Sequence, residues 1–328
     1  MSRPSIVGSD CWRAVDVTAD RSWEIVLTLD QRRALIDGAR RARSAGCTAL
    51  TVERSDLPLP TMQRAIQAWS ATIAAGRGFV LLRQFPIDEL TAEETELAYV
   101  GLGCHLGAPV GQNRQGDRLT HIRDEHVDPS AGRVRRYRTA ERQDFHTDAA
   151  DIVGLLCLQR SASGGESKIV SSAAVYNEML YRAPELVDAL YETVAWDRQG
   201  DIPDGAAPWF PLAPLSDLEG RPRLFYVGWY IRDSQMHADA PRLTERQLEA
   251  MALLESIAND PTYNVQMDFQ PGDVQLLNNG RLLHAREAFV DGPGQERHLL
   301  RLWLAAHRFA SVEAGLRGGI ANPPTQRI

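Results

Sequence analysis

With 328 residues the chain is long enough for a large buried core, and a β-sandwich or barrel of that length folds as one unit. A hydrophobic share of 44% beside 24% charged residues is ordinary for a globular protein, and a net charge of −7 gives no reason to expect nucleic acid or an anionic membrane as partner. Met1 to Val17 lacks the apolar stretch of a signal peptide, and no apolar run approaches the roughly 20 residues that span a bilayer. Cys11, Cys47, Cys104 and Cys157 lie far apart with no C-x-x-C pair, so they read as reduced thiols of a cytoplasmic protein.

Met1 to Thr28 reads as irregular, with a short strand at Trp23 to Leu27. Leu29 to Ala45 has helical spacing at Leu35, Ile36 and Ala39, with Asp30 as the expected cap. Thr61 to Ala75 is a second helix, stopped by Gly76-Arg77-Gly78, and Phe79 to Leu82 a short buried strand closed by Pro86. Thr91 followed by Glu94 is a capping box for a third helix running to about Leu106, which Gly107-Ala108-Pro109 ends.

From Val110 short apolar segments alternate with Gly, Asp, Asn and Pro turns, the texture of a sandwich or barrel. Strands are expected at Leu119–Arg123, Gln143–Asp148, Gly154–Gln159, Lys168–Ser171, Leu224–Trp229, Val265–Phe269, Val274–Leu277 and Arg297–Ala305. Two helices interrupt them: Ala173 to Arg182, continuing past Pro184 to Tyr191, and Thr244 to Ala258. Trp196 to Pro214 is long and aperiodic, as lids and binding loops are. Gly111 to Arg142 is similar, and its second half carries Arg133, Arg135, Arg136, Arg138 and Arg142: a solvated run, or a loop that handles an anion.

The chemistry concentrates in Gln143–Asp151, where His146 and Asp148 form an His-x-Asp pair. Extended backbone puts side chains two residues apart on one face. An imidazole and a carboxylate are two of the three protein ligands of a non-haem Fe(II) facial triad, the third being a distant His. Alone the pair is weak, and a buried His is usually just hydrogen-bonded. The distal half adds weight. Gln270–Asn279 is a turn feeding a strand, His284 follows, and Asp291-Gly292-Pro293-Gly294 turns into Arg297–Leu304.

In that last strand Arg297, Leu299, Arg301 and Trp303 share one face. Two arginines there are costly to bury without anions. The dicarboxylate 2-oxoglutarate supplies one, and a planar guanidinium matches a carboxylate with two parallel hydrogen bonds. At a rise of ~3.3 Å per residue the two Cα atoms are about 13 Å apart, so the arginines need not hold the same carboxylate. The competing reading pairs both with acidic residues of a neighbouring strand. His105, His121, His126, His237, His298 and His307 have no partner at ligand spacing and read as core or surface. Asp151 is either a turn residue or a group orienting a ligand or substrate.

Leu106–Val110, His146-Thr147-Asp148, Ser163-Gly164-Gly165-Glu166-Ser167, Pro271-Gly272-Asp273, His284 and Arg297-x-x-x-Arg301 together make the chain similar to the taurine dioxygenase / TfdA-like family of Fe(II)- and 2-oxoglutarate-dependent oxygenases, over roughly Gly101 to Ala305. The resemblance implies a mainly β, α+β fold: a double-stranded β-helix, or cupin-like jelly roll, with flanking helices and the metal at its open mouth. One domain over 1–328 is expected, with a mixed helical part at 1–109 and the jelly-roll core at 110–310. The resemblance further implies His146, Asp148 and His284 as iron ligands and Arg297 on the distal carboxylate of 2-oxoglutarate. From their spacing alone, one of Arg297 and Arg301 holds 2-oxoglutarate and the other the substrate or the cosubstrate's inner end, and which does which stays open. Ser167 stands where the family commonly has Thr and offers the same hydroxyl, while Glu166 replaces the usual Asp.

The expected reaction consumes O₂ and 2-oxoglutarate, releases succinate and CO₂, and hydroxylates, desaturates or cyclises a small polar molecule, an amino acid or natural-product intermediate. The basic loop, Arg301, and Trp209, Phe210, Trp229 and Tyr230 favour an anionic or zwitterionic substrate, although such aromatics also fill cores. Self-association into a homo-oligomer stays open. Two rivals remain: a zinc-dependent hydrolase, which lacks a candidate general base, and a non-catalytic jelly-roll binding module.

Overall fold

The computed structural model describes residues 3–306 except 114, 129–133 and 219, so Arg133 and His307 lie outside the described residues. The first long helix is Leu29–Ser44, and its cap is Thr28, not Asp30. Thr28 is the last extended residue; its hydroxyl accepts from the Gln31 amide at 3.3 Å while the Gln31 side chain accepts from the Thr28 amide at 2.9 Å. Asp30 already sits in the first turn, where its charge meets the positive end of the helix dipole. The next helix is Gln63–Ala75, entered through a single tight turn at Pro60–Met62. The Thr91–Glu94 capping box opens Ala92–Gly103 as expected.

Two sheets make a jelly roll. The larger has seven strands, in the order Glu24–Val26, Phe79–Arg83, Val274–Asn278, Ile152–Gln159, His298–Ala305 and Ala108–Pro109, with Leu119–Ile122 also pairing with His298–Ala305. The smaller runs Asn264–Met267, Ser167–Ser171, Leu282–Arg286 and Gln143–His146. Every pairing in both is antiparallel except the first, Glu24–Val26 with Phe79–Arg83.

Period-two alternation sorts the side chains into three cores. Val153, Cys157, Leu299 and Trp303 of the large sheet meet Ile169, Val265, Met267 and Leu282 of the small one between the sheets. The opposite faces bury Leu156, Leu300, Leu302 and Leu304 under the N-terminal helices, and Val170, Leu283 and Ala285 under Ser172–Arg182, Pro184–Leu190 and Glu245–Asn259. Full burial of each such leucine is worth about 1.5–3 kcal/mol. His146, His284, Arg286, Ser167 and Arg297 fall on the inward-facing set of this alternation.

Two stretches differ from expectation. Leu224–Trp229 is not one strand: Arg221–Leu224 closes a hairpin with Leu215–Leu218, and Gly228–Asp233 is a helix. Between them Tyr226 clamps Thr147, accepting from its amide at 2.8 Å and donating its own amide to the Thr147 hydroxyl at 2.9 Å. Trp196–Pro214 is not wholly irregular either, because Val194–Asp197 and Trp209–Leu212 pair as a hairpin that leaves only 198–208 as loop.

Candidate metal centre

His146 ends the strand Gln143–His146, and His284 faces it directly across the sheet in Leu282–Arg286. Their rings lie 4.3 Å apart. Asp148 is placed differently from the expectation, since the strand stops at His146 and Asp148 sits in the following turn. Asn279 holds that turn: its side-chain oxygen accepts from the Asp148 amide at 2.8 Å and its NH₂ donates to the carbonyls of Asp148 and Ala150. One donor atom from each of His146, Asp148 and His284 falls within 4.8 Å of the others.

The protonation of His146 and Asp148 suits a cation. His146 Nδ1 lies 2.8 Å from the Asp144 carbonyl, which can only accept, so Nδ1 carries the hydrogen and Nε2 keeps its lone pair. Burial, with His284 beside it, pushes the His146 pKa down to about 3, so the ring is neutral. Burial alone would raise the Asp148 carboxyl, but the Arg301 guanidinium and the two imidazoles outweigh it and hold it far below the usual carboxylate range. Two imidazole nitrogens and one carboxylate oxygen, gathered at one end of the interior, are the donor set of a ferrous facial triad.

Around Asp148 the large sheet supplies donors. Trp303 Nε1 donates to Asp148 Oδ2 at 2.9 Å, and Arg301 Nη1 stands 3.4 Å from both carboxylate oxygens. Arg301 is further fixed by Nε donating to Gln112 Oε1 at 2.8 Å. The expectation that Arg301 binds a cosubstrate or substrate carboxylate thus meets a protein carboxylate instead: as it stands, Arg301 orients Asp148. Replacing Trp303 by Phe removes one donor and keeps the packing. Fe(II) affinity is then expected to fall about 10–100-fold, the usual effect of losing a hydrogen bond to a metal ligand, read by anaerobic titration; unchanged affinity would leave Arg301 as the sole orienting group.

Arg297 differs from Arg301. It is 4% exposed and has no acidic side chain in ion-pair range among the described residues. Nη2 reaches the Gly165 carbonyl at 3.4 Å, and Nη1 has no hydrogen-bond partner among the described residues. Burial pulls its pKa below the ordinary guanidinium value. Gly165 has φ +77°, and a Cβ there would stand 2.9 Å from Arg297 Nε, so the Gly-Gly turn admits the guanidinium. Ser167 opens the next strand, 4% exposed, its hydroxyl 3.5 Å from Gln275 Nε2. A buried cation with an unpaired N–H is the feature a distal carboxylate fits.

The remaining candidates lie elsewhere. His105 bonds the Leu57 carbonyl at 2.8 Å, His121 and His298 bond each other at 2.8 Å, His126 is exposed beside Asp124, and His237 pairs with Asp197 at 2.6 Å. Asp151 accepts from the Ala306 amide at 2.7 Å and ties down the end of the last strand. Asp273 of the Pro-Gly-Asp turn accepts from the Gln270 amide at 2.7 Å and pairs with Arg83.

A cleft opens over the triad, lined by Arg135, Arg136, Arg198, Trp229, Tyr230 and Arg301 among others. Trp229 packs edge-on to His146 at 4.9 Å, and Arg136 stands 4.8 Å over the Trp229 ring. Phe210, by contrast, stacks on the buried Trp196 and belongs to the core. Arg138 pairs with Glu125, and Arg142 with Asp144 at 3.3 Å, away from this cleft. Among the described residues no helix is long and apolar enough to cross a membrane.

The model of the family described as taurine catabolism dioxygenase TauD, TfdA family, matches residues 43–303. FR-33289 synthase of Streptomyces rubellomurinus is 32% identical over 308 residues, covering 91% of this chain and 90% of that protein. The taurine hydroxylase-like protein SAT17 of Stachybotrys chartarum is 30% identical over 259 residues, 74% of this chain and 65% of that protein. An asparagine oxygenase solved with Fe(II), 3-hydroxyasparagine and succinate shares the fold at a TM-score of 0.66 and 18% identity, over 86% of this chain and 93% of the other. The chain belongs to the TauD/TfdA family and is a non-haem Fe(II)- and 2-oxoglutarate-dependent dioxygenase.

Proposed function

We propose that the protein oxidises an unactivated C–H bond of a small anionic or zwitterionic molecule, an amino acid or natural-product intermediate, with His146, Asp148 and His284 holding iron and Arg297 with Ser167 holding the distal carboxylate of 2-oxoglutarate. The observation that carries this reading is the sharing of one interior by the three ligand atoms and a buried guanidinium with no acidic partner among the described residues, beneath a cleft that presents Arg135, Arg136 and Arg198. When bound, iron, 2-oxoglutarate and O₂ supply the oxidising power, with succinate and CO₂ as by-products.

The chain's own work is positional. Asp144 fixes the His146 tautomer, Trp303 and Arg301 fix the Asp148 carboxylate, and Asn279 fixes the turn that carries it. Trp229 and Tyr230 wall the cleft beside His146, narrowing solvent access to the metal. Of the arginines above, Arg135 pairs with Asp201 and Arg136 with Asp144 at 3.4 Å, so an anion entering the cleft meets three guanidiniums against two carboxylates. Arg135 reaches across to Asp201 in the 198–208 loop, so the two long loops meet over the cleft.

The test is a panel of small carboxylates, phosphates, sulfonates and amino acids, scored by substrate-dependent succinate release with product mass in parallel. Turnover of anionic members is expected; a gain of one oxygen identifies hydroxylation and a loss of two hydrogens desaturation or ring closure. Turnover confined to neutral or cationic members would overturn the assignment of substrate charge.

A further inference from the structure

We propose that Arg286 is a second guanidinium of the 2-oxoglutarate pocket, binding the cosubstrate's distal carboxylate together with Arg297; this rests on the reading of Arg297 given above. Arg286 lies two residues beyond His284 on the same strand, so it shares the inward face. The register sets it directly opposite Ser167 on the neighbouring strand. Arg297 enters the same interior from the other sheet. The two guanidiniums stand off one ring, that of Phe289, with Arg286 at 4.9 Å and Arg297 at 5.2 Å from its centroid.

Both are buried, Arg286 at 5% and Arg297 at 4% exposure. Arg286 Nη2 donates to the carbonyls of Thr139 and Glu141, pinning the segment before the Gln143–His146 strand. That accounts for one nitrogen only. Arg286 Nε and Nη1 have no partner among the described residues, nor has Arg297 Nη1. The contrast with the other inward or half-buried arginines is direct: Arg301 has Asp148, Arg83 has Asp273 and Glu24, and Arg221 and Arg281 share Asp10.

Two neighbouring cations in a low-dielectric interior repel each other, and each loses its hydration. An anion between them reverses both effects. A carboxylate offers about four lone-pair sites, enough for donors from two guanidiniums and the Ser167 hydroxyl. With Nη2 spent on the two carbonyls, Arg286 offers the carboxylate single charge-assisted hydrogen bonds from Nε or Nη1 rather than a parallel pair.

The test uses the full chain loaded anaerobically with Fe(II), and follows the charge-transfer band while titrating 2-oxoglutarate or 2-oxopentanoate, which has the same carbon chain without the distal carboxylate. Arg286→Gln is expected to raise the 2-oxoglutarate Kd by at least about tenfold, the loss of a charge-assisted hydrogen bond, with the 2-oxopentanoate Kd unchanged. Arg286→Lys, which keeps the charge but not the placement of Nε and Nη1, is expected to fall between. Equal weakening of both keto acids, or an unchanged 2-oxoglutarate Kd, would overturn the proposal. Should Arg286→Gln not fold, a crystal structure of the unaltered protein with Mn(II) and N-oxalylglycine decides: Arg286 Nε or Nη1 is expected within hydrogen-bond distance of the distal carboxylate, and a carboxylate turned away from it overturns the proposal. If the unaltered protein itself prefers neither keto acid, it is the Arg297 reading that fails, and this proposal falls with it.

Discussion

His146→Ala and Asp148→Ala are each expected to abolish the visible band that forms when anaerobic Fe(II) and 2-oxoglutarate are added to the protein, and to drop succinate formation to background. Each change removes one of three donors. The loss should therefore exceed the ~10–100-fold that follows removal of a mere hydrogen-bond partner of a ligand. The two variants differ in their effect on stability. His146→Ala leaves the Asp144 carbonyl without its imidazole donor, a modest defect near the cleft. Asp148→Ala leaves the Arg301 guanidinium and the Trp303 N–H facing no carboxylate, and an uncompensated buried charge costs about 3–5 kcal/mol. Asp148→Asn keeps the shape and a hydrogen-bond acceptor, so thermal melting separates loss of metal from loss of fold: Asp148→Asn should melt well above Asp148→Ala yet bind iron poorly. A His146→Ala protein that still forms the band at full intensity would remove His146 from the ligand set.

Much of this site is legible in the residues, for reasons that differ from part to part. The last strand is readable because two arginines four residues apart punctuate a run of apolar residues, and the register against Ile152–Gln159 keeps Leu299, Arg301 and Trp303 inward, as period two requires. Asp148 reaches the right place for a different reason from the one the spacing suggests. The strand ends at His146, and it is Asn279, 131 residues away, that folds the carboxylate back toward the imidazoles. No local pattern records such a contact.

The strand carrying His284 has no counterpart among the strands expected from sequence. Leu282-Leu283-His284-Ala285-Arg286 is buried on both faces, so it lacks the polar alternation by which a half-exposed strand announces itself. Arg286 escapes the sequence reading for the same reason, although an arginine in such a segment is a signal in its own right. Arg301 reads as free for ligand because sequence cannot show that Asp148 and Gln112 meet it. At the first long helix Thr28 and Asp30 both offer a capping oxygen, and only the extended backbone at Thr28 decides between them.

Arg297→Ala should raise the 2-oxoglutarate Kd by two to three orders of magnitude while leaving Fe(II) binding intact. Truncating one partner of a buried charge pair costs about 2–5 kcal/mol, and about 1.4 kcal/mol corresponds to a tenfold change. The deleted group is buried, Nη1 has no partner among the described residues to keep it occupied, and removing it leaves the incoming carboxylate to be desolvated against Phe289 and the Ser167 hydroxyl. Iron is spared because Arg297 makes no hydrogen bond to His146, Asp148 or His284; the triad is held by Asp144, Asn279, Arg301 and Trp303. Removing the guanidinium also relieves its repulsion of Arg286, so the variant should be no less stable than the parent without cosubstrate, and less stable once 2-oxoglutarate is present at a concentration that saturates only the parent. Thermal melts with and without the keto acid read this difference directly. An Arg297→Ala protein with parental cosubstrate affinity would mean that the carboxylate is held elsewhere in the interior, with Arg286 the first group to examine.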